Sequence, residues 1–381
     1  MLPDFGPSIF SEMTALAQQH GALNLAQGFP EFGPDARLID AFRDALSSES
    51  AQYAPMPGLL GLREALAADQ LHRNALRYDP ATEITVVPGA TLGIFCALQA
   101  LVGPGDEVVL LEPAYDAYRP AVLAAGARPV GVALRPSPGG FSVDWDQLAD
   151  SVTPRTKAVL INSPHNPTGM LWRREDWERL SGVLPESALV LSDEVYESMI
   201  LDGSTLESPH HHENLRERSL RFLSFGKTYH VTGWKLGAVL GSARLTHALR
   251  NIYQFAAFSA STPTQHAVLR FLKTAPDYAR ELPAFFAQKR DLLASSLAES
   301  RFRPLPAPGS YFMLVDYSEV SDLGDRELAY LLTREAGVAT VPLSPFYGSA
   351  PAGLRMLRLC FAKEDSTLAE AGHRLTSWAS S

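Results

Sequence analysis

The chain has 381 residues, 46% of them apolar and 20% charged, and carries a formal net charge of −9. This is ordinary globular composition, long enough for one large domain with a smaller one, and its acidic balance argues against nucleic acid as a partner because no basic excess neutralises phosphates. No run approaches the roughly 20 apolar residues needed to cross a bilayer, so no membrane partner is expected; the N-terminal "MLPDFGPSIFSEM" has no basic leader pattern, and Cys96 and Cys360, each in an apolar run, read as reduced thiols of a cytoplasmic protein.

A helix over 8–19 and the strip "LNLAQGFP" (23–30) come first and are expected to pack onto the smaller domain. Seven apolar runs then punctuate the chain: "EITVVPGA" (83–90), "DEVVLLEP" (106–113), "ARPVGVAL" (127–134), "KAVLINSP" (157–164), "SALVLSDE" (187–194), "RFLSFGK" (221–227) and "KLGAVLG" (235–241). Several are apolar almost throughout, as strands covered by helices on both faces are. Helical patterns such as "TLGIFCALQAL" (91–101) and "REDWERLSGVL" (174–184) separate them. The alternation predicts an α/β domain built on a mostly parallel sheet. From about 265 the pattern changes: a long helical region (265–300), "SYFMLVDYS" (310–318), another helix and "LRMLRLCFA" (354–362) read as a smaller α+β domain. The expected division is 40–270 for the large domain, with 1–39 and 271–381 forming the small one.

In open α/β sheets ligands bind beyond the carboxyl ends of the strands. After 83–88 come Gly89, Ala90 and Thr91 at the start of a helix, which fits either a tight turn or an anion cradle of backbone N–H groups. Tyr115 follows the next run, as a core tyrosine or an aromatic plate. "NSPHNPTG" places Asn166 in a proline-rich loop, as an Asx-turn or a hydrogen-bonding amide. Asp193, Glu194 and Tyr196 follow "SALVLS"; a carboxylate there caps a helix or needs a donor or cationic partner. Then "SFGKTYHVTGWKLG" (224–237) holds Lys227 and Lys235 with no carboxylate between its ends, so their charge must be answered from outside the segment. Together these strand ends supply an anion cradle, an aromatic plate, an amide, a carboxylate, a phenol and two amines. Pyridoxal 5'-phosphate (PLP) needs these parts: a lysine for its aldehyde, an anion for its pyridinium nitrogen, donors for its phenolate oxygen, a face for its ring, and N–H groups, hydroxyls and a cation for its phosphate.

"SFGKT…GWKLG", "SDEVYE" and "NSPHNPTG" resemble the fold-type I, PLP-dependent aminotransferases of class I/II, over essentially the whole chain. "LNLAQGFPEF", "QYAPMPGLLGLREAL", "LEPAYDAY" and "RLCFAK" resemble the kynurenine/glutamine transaminase branch; "QYAPMPG" and "FGKTYHVTGWK" look most like its bacterial methionine aminotransferases. The resemblance implies a large domain with a mostly parallel seven-stranded sheet, a homodimer, and PLP as cofactor. It implies that Lys227 forms the Schiff base. Lys235 matches a phosphate-binding cation that is arginine in many relatives; a lysine still answers the dianion but loses bidentate geometry. Ser224, Ala90 and Thr91 match the rest of the phosphate site, Tyr115 the stacking aromatic, Asp193 the pyridinium partner, and Asn166 and Tyr196 the donors to the phenolate oxygen. Tyr53 matches a tyrosine reaching the neighbouring subunit's phosphate, and Phe258 an aromatic contributed across the dimer. Arg358 matches the grip on the substrate α-carboxylate, and Gly28 a glycine whose backbone lies beside the substrate.

The expected reaction is transfer of an α-amino group from an amino acid to a 2-oxo acid with ping-pong kinetics. "GFPEF" and 253–263 supply apolar and aromatic side chains for the substrate pocket, although Phe255 and Phe258 equally fit interface packing. No second cation is placed for a side-chain carboxylate, so methionine and aromatic donors fit better than aspartate. Two alternatives stay open: a PLP-dependent β-lyase on cysteine conjugates or cystathionine, and a non-catalytic PLP-sensing domain. His210, His211 and His212 read as a solvated loop, since adjacent side chains converge poorly on one metal ion, and "PGATLG" lacks the spacing of a dinucleotide-binding turn.

Overall fold

All seven apolar runs become strands of one sheet in a computed structural model of the chain, which describes residues 5–48, 51–137 and 139–380. The first four residues of the N-terminal stretch read for a leader lie outside the described residues. In chain order the elements begin with α1 (Ile9–His20), β1 (Leu23–Asn24), α2 (Ala36–Ser48), α3 (Leu60–Asn74), β2 (Ile84–Val87), α4 (Ala90–Leu101), β3 (Glu107–Glu112), α5 (Tyr118–Ala124) and β4 (Arg128–Ala133). A hairpin of β5 (Arg135–Ser137) and β6 (Gly140–Ser142) leads to α6 (Trp145–Ser151), β7 (Thr156–Asn162), α7 (Arg174–Val183), β8 (Leu189–Asp193), α8 (Glu213–Arg216), β9 (Ser219–Ser224), α9 (Phe225–Thr228) and β10 (Gly237–Gly241). Then come α10 (Ala243–Ala256), α11 (Thr262–Thr274), α12 (Tyr278–Ser296), β11 (Arg303–Pro304), β12 (Phe312–Asp316), α13 (Asp325–Leu331), β13 (Val338–Ala339), β14 (Val341–Pro342), β15 (Met356–Cys360) and α14 (Asp365–Ser380).

The large sheet has the order β2-β10-β9-β8-β7-β3-β4. The five strands from β9 to β4 run parallel, while β10 is antiparallel to both its neighbours. Every residue of β2, β3, β8 and β10 is buried, which is why these runs carry no alternation of polar and apolar residues. The second sheet, β11-β12-β15-β14, is antiparallel. The strip after α1 joins this second region: β1 pairs in parallel with β13.

Two expectations are corrected. The helical region at 265–300 is two helices, α11 and α12, interrupted at Ala275–Asp277; Pro276 has no N–H to continue the ladder and disfavours helical geometry in the residue before it. The histidine run is not a solvated loop. His210 is buried, hydrogen-bonded through Nδ1 to the Tyr78 hydroxyl at 2.6 Å and through Nε2 to the Ser219 carbonyl at 3.2 Å. Burial holds it well below the ordinary imidazole range. The sequence offers no sign of this, because both partners come from distant segments. Among the described residues no group of three or more His, Cys, Asp or Glu side chains could hold a metal ion, and no helix is long and apolar enough to cross a membrane.

Candidate active site

The carboxyl ends of the parallel strands open onto a cavity of about 290 Å³, near the lower end of the range for small-molecule sites. Gly28, Ala90, Thr91, Tyr115, Asn166, Asp193, Tyr196, Ser224, Lys227, Lys235 and Arg358 all line it. Tyr53 and Phe258 do not. They stand on the surface of this chain, 81% and 47% exposed, with their rings edge to face at 5.3 Å.

One wall is set by strand ends. β8 delivers Asp193, whose Oδ2 accepts the Tyr118 hydroxyl at 2.5 Å and whose Oδ1 accepts the Val195 N–H at 3.3 Å. A turn and not a helix directly follows Asp193, so the carboxylate caps none. Burial is the largest influence on Asp193 and pushes it up to about 6, against the opposing bonds from Tyr118 and Val195. Next door, Asn162 at the end of β7 donates its amide to the Asp193 carbonyl at 2.8 Å and accepts the Asn166 N–H at 2.7 Å. This ties the proline-rich loop to β8 and frees the Asn166 side chain, whose Oδ1 accepts from Arg358 Nη1 at 2.8 Å.

A raised carboxyl pKa carries a stability consequence. Asp193 moves from 3.8 towards about 6 on folding, so its folded form is favoured below pH ~4 and that advantage is lost as pH rises through about 6. In the cofactor-free protein, Asp193→Asn is expected to gain about 3 kcal/mol over the parent at pH 8 and almost nothing at pH 4. Denaturant unfolding at the two pH values measures it; equal gains at both would reject this account.

A second wall carries the cations. β9 ends at Ser224, and a single helical turn, α9, presents Lys227, whose Nζ donates to the Gly28 carbonyl at 2.9 Å. Burial pulls the Lys227 amine down to about 8, and the neighbouring Arg358 guanidinium adds to the fall. Lys235 adopts a left-handed backbone before β10, and its Nζ lies 3.4 Å from where a Cβ on Gly89 would stand, next to the N-terminus of α4. Cation, Ser224 hydroxyl and helix N-terminus therefore converge at one end of the cavity.

Arg358, from the middle of β15, closes the other end. Its guanidinium is packed by the rings of Phe312 at 4.0 Å, Phe10 at 4.8 Å and Phe346 at 5.6 Å. Nη2 donates to the Ala26 carbonyl at 2.7 Å, and Nε is buried with no hydrogen-bond partner. Desolvation lowers its pKa from the ordinary value.

Behind this wall the chain turns after Asp193, so that Asp193, Val195 and Tyr196 line the cavity while Glu194 and Glu197 enter a buried charge network. Arg221 on β9 is wholly buried, bonding Glu194 at 2.6 Å, Glu197 at 3.1 Å, Gln70 at 2.9 Å and the Tyr78 hydroxyl at 2.8 Å. Arg73 from α3 reaches Glu197 at 2.6 Å. Removing one partner of such a pair strands a buried charge, so Arg221→Met is expected to destabilise the fold by about 3–5 kcal/mol. Urea unfolding reads this, and a change under 1 kcal/mol would show the network to be dispensable.

Several contributors escaped the sequence reading. Tyr118 had only its place three residues after Tyr115 as a signal. Phe10, Phe346 and Tyr311 had none, because they approach from other parts of the chain. Tyr229 is buried against Phe225 and Phe271 and lines no part of the cavity.

A seven-stranded, mostly parallel sheet with a carboxyl and an amine at its strand exits, faced by a guanidinium from the second sheet, is the arrangement of a fold-type I transferase. Residues 21–375 match the family "Aminotransferase class I and II", and the chain belongs to that family and is an aminotransferase. It is similar to the methionine aminotransferase of Escherichia coli strain K12, 42% identical over 378 residues, covering 98% of this chain and 96% of that one. It is also similar to human kynurenine–oxoglutarate transaminase 1, 33% identical over 408 residues, covering 98% and 96%. Among solved structures, YbdL from Escherichia coli, for which a methionine aminotransferase function was identified, superposes with a TM-score of 0.94 at 42% identity, covering 99% of this chain and all of that one.

Members of this family use PLP, and ping-pong transfer through it is general to them. The residues present fit that group. A buried carboxyl raised to about 6 lacks a full compensating cation, a desolvated amine stands across the cavity, and a lysine and a helix N-terminus make an anion site. The Arg358 guanidinium, which lines the same cavity, supplies a cation for a carboxylate.

Proposed function

We propose that this chain holds PLP through Lys227 and transfers the α-amino group of methionine, or another apolar or aromatic amino acid, to a 2-oxo acid. The observation that carries the reading is the placement of Lys227, Asp193 and Arg358 in one cavity. In this reading Asp193 pairs with the ring nitrogen, Asn166 and Tyr196 donate to the phenolate oxygen, and Tyr115 covers the ring. Ser224, Lys235 and the amides at Ala90 and Thr91 hold the phosphate. Arg358 grips the substrate α-carboxylate and so orients the Cα–H bond, with Gly28 alongside. Lys227 Nζ, neutral in an appreciable fraction near pH 8, carries the proton taken from the substrate Cα. The bound cofactor supplies an electron sink for the charge that this proton transfer leaves on Cα.

The apolar and aromatic lining from Phe10, Phe29 and Phe312 supports uncharged side chains over aspartate. Two copies are proposed to form a homodimer, with exposed Tyr53 and Phe258 serving the neighbouring site and Phe255, 87% exposed, in the interface. The same reading divides the chain into 40–270, and 1–39 with 271–381. The free, buried Cys96 and Cys360 support a cytoplasmic setting.

The test is a half-reaction screen. PLP-loaded protein is mixed with each amino acid, without acceptor, and the loss of the lysine-bound cofactor's absorbance is followed. Methionine and aromatic amino acids are expected to react well ahead of aspartate. A faster reaction with aspartate overturns the preference, and ammonia with pyruvate from a cysteine conjugate indicates β-elimination. Borohydride reduction that leaves the Lys227 peptide mass unchanged removes the cofactor reading itself.

A further inference from the structure

Tyr311 has no part in the scheme above, yet it touches the same atom as the reactive lysine. It precedes β12, is fully buried, and donates its hydroxyl to the Gly28 carbonyl at 2.7 Å, the oxygen that also accepts from Lys227 Nζ at 2.9 Å. Its ring stands edge-on to Tyr196 with centroids 5.1 Å apart, and Lys227 Nζ lies 5.5 Å from its centre. A carbonyl oxygen has two lone pairs and can serve both donors. Only one of the two side chains can stay, however. A lysine that bonds to an aldehyde, or carries a proton, must take its nitrogen away from Gly28. The Gly28 carbonyl is half-buried, and leaving it with no donor carries a desolvation cost.

We propose that Tyr311 is a positioning residue that keeps the Gly28 carbonyl occupied while Lys227 moves between that oxygen and the reacting atoms. This rests on Lys227 being the covalent handle. With the hydroxyl present, the strip carrying Gly28 keeps its anchor whichever way the lysine points. Without it, the carbonyl has Lys227 alone. A charge-assisted bond from an ammonium is stronger than one from a neutral amine. The resting, protonated lysine is therefore favoured and the reactive fraction shrinks. The other groups that act on Lys227 are Asp193 from β8, Tyr196 after it, Lys235 before β10, and Arg358 and Cys360 from β15. Deleting the hydroxyl moves none of the charged groups; the Tyr196 phenol loses its hydrogen bond with Tyr311, and the ring contacts of Tyr311 with Phe286 and Phe312 remain in a phenylalanine.

The experiment uses the full chain, first without cofactor. Lys227 is titrated by the pH dependence of its acetylation, read on the Lys227 peptide by mass spectrometry. Tyr311→Phe is expected to raise the midpoint by about one pH unit. In the PLP-loaded protein, kcat with methionine is expected to fall about tenfold while KM moves less than about twofold. An unchanged midpoint in a folded variant overturns the proposal, whatever the effect on kcat. Site-specific 3-fluorotyrosine at position 311 guards against misfolding of the first variant: a stronger donor there is expected to lower the midpoint, and a rise or no change overturns the proposal. These readings need no cofactor, so their failure is distinct from failure of borohydride to label Lys227 in the unaltered protein.

Discussion

Lys227→Met abolishes transamination: the expected loss is at least about a thousandfold in kcat, because the substitution removes both the covalent handle and the proton carrier. Lys235 cannot substitute, since its ammonium lies beside Gly89 at the N-terminus of α4. The same variant is expected to be more stable than the parent when cofactor-free. Folding takes the Lys227 amine from 10.5 to about 8, mainly by desolvation, which at neutral pH costs about 3 kcal/mol. The sign follows from the direction. A depressed lysine pKa penalises the folded state fully below about pH 8, and the penalty fades as pH rises towards 10.5. Methionine fills similar volume without the charge. Turnover assays and thermal unfolding, done on one preparation, test both halves. Lost activity together with lost stability would point to misfolding instead.

Arg358→Gln produces the second large effect. A buried, charge-assisted contact to a carboxylate is worth about 2–5 kcal/mol on truncation, so kcat/KM for every amino acid should fall on the order of 30- to several-thousand-fold. The substitution removes the bonds to Asn166 and Ala26 and the packing against Phe312. Lysine is not a conservative replacement, because three aromatic faces and two carbonyl-type acceptors are arranged around a planar cation. A control separates recognition from collapse of the site. The amine formed by removing the α-carboxylate from methionine should react equally slowly with parent and variant. If the variant discriminates between methionine and that amine as strongly as the parent does, Arg358 does not bind the carboxylate.

The residues legible in the sequence share one property: they are polar groups at the ends of apolar runs. Asp193 follows "LVLS", Asn166 stands four residues beyond "AVLIN", and Lys227 follows "RFLSFG". Their chemistry stands out because burial forbids a polar side chain without a purpose. Tyr53 and Phe258 were legible only through family resemblance, and on this chain they lie outside the cavity.

What the sequence determined by itself was the set of seven strands, the parallel α/β layering and the reactive groups at the strand exits. Period and apolar run length are local quantities, so they survive without the fold. Only the tertiary structure decided the strand order, the antiparallel insertion of β10 and the second line of contacts. Tyr118 meets Asp193 across 75 positions, and Tyr311 meets Gly28 across 283. Such pairs leave no periodic trace, because each partner is chosen by where the packed layers bring it, and a tyrosine in either place reads as ordinary core until its hydroxyl finds an acceptor.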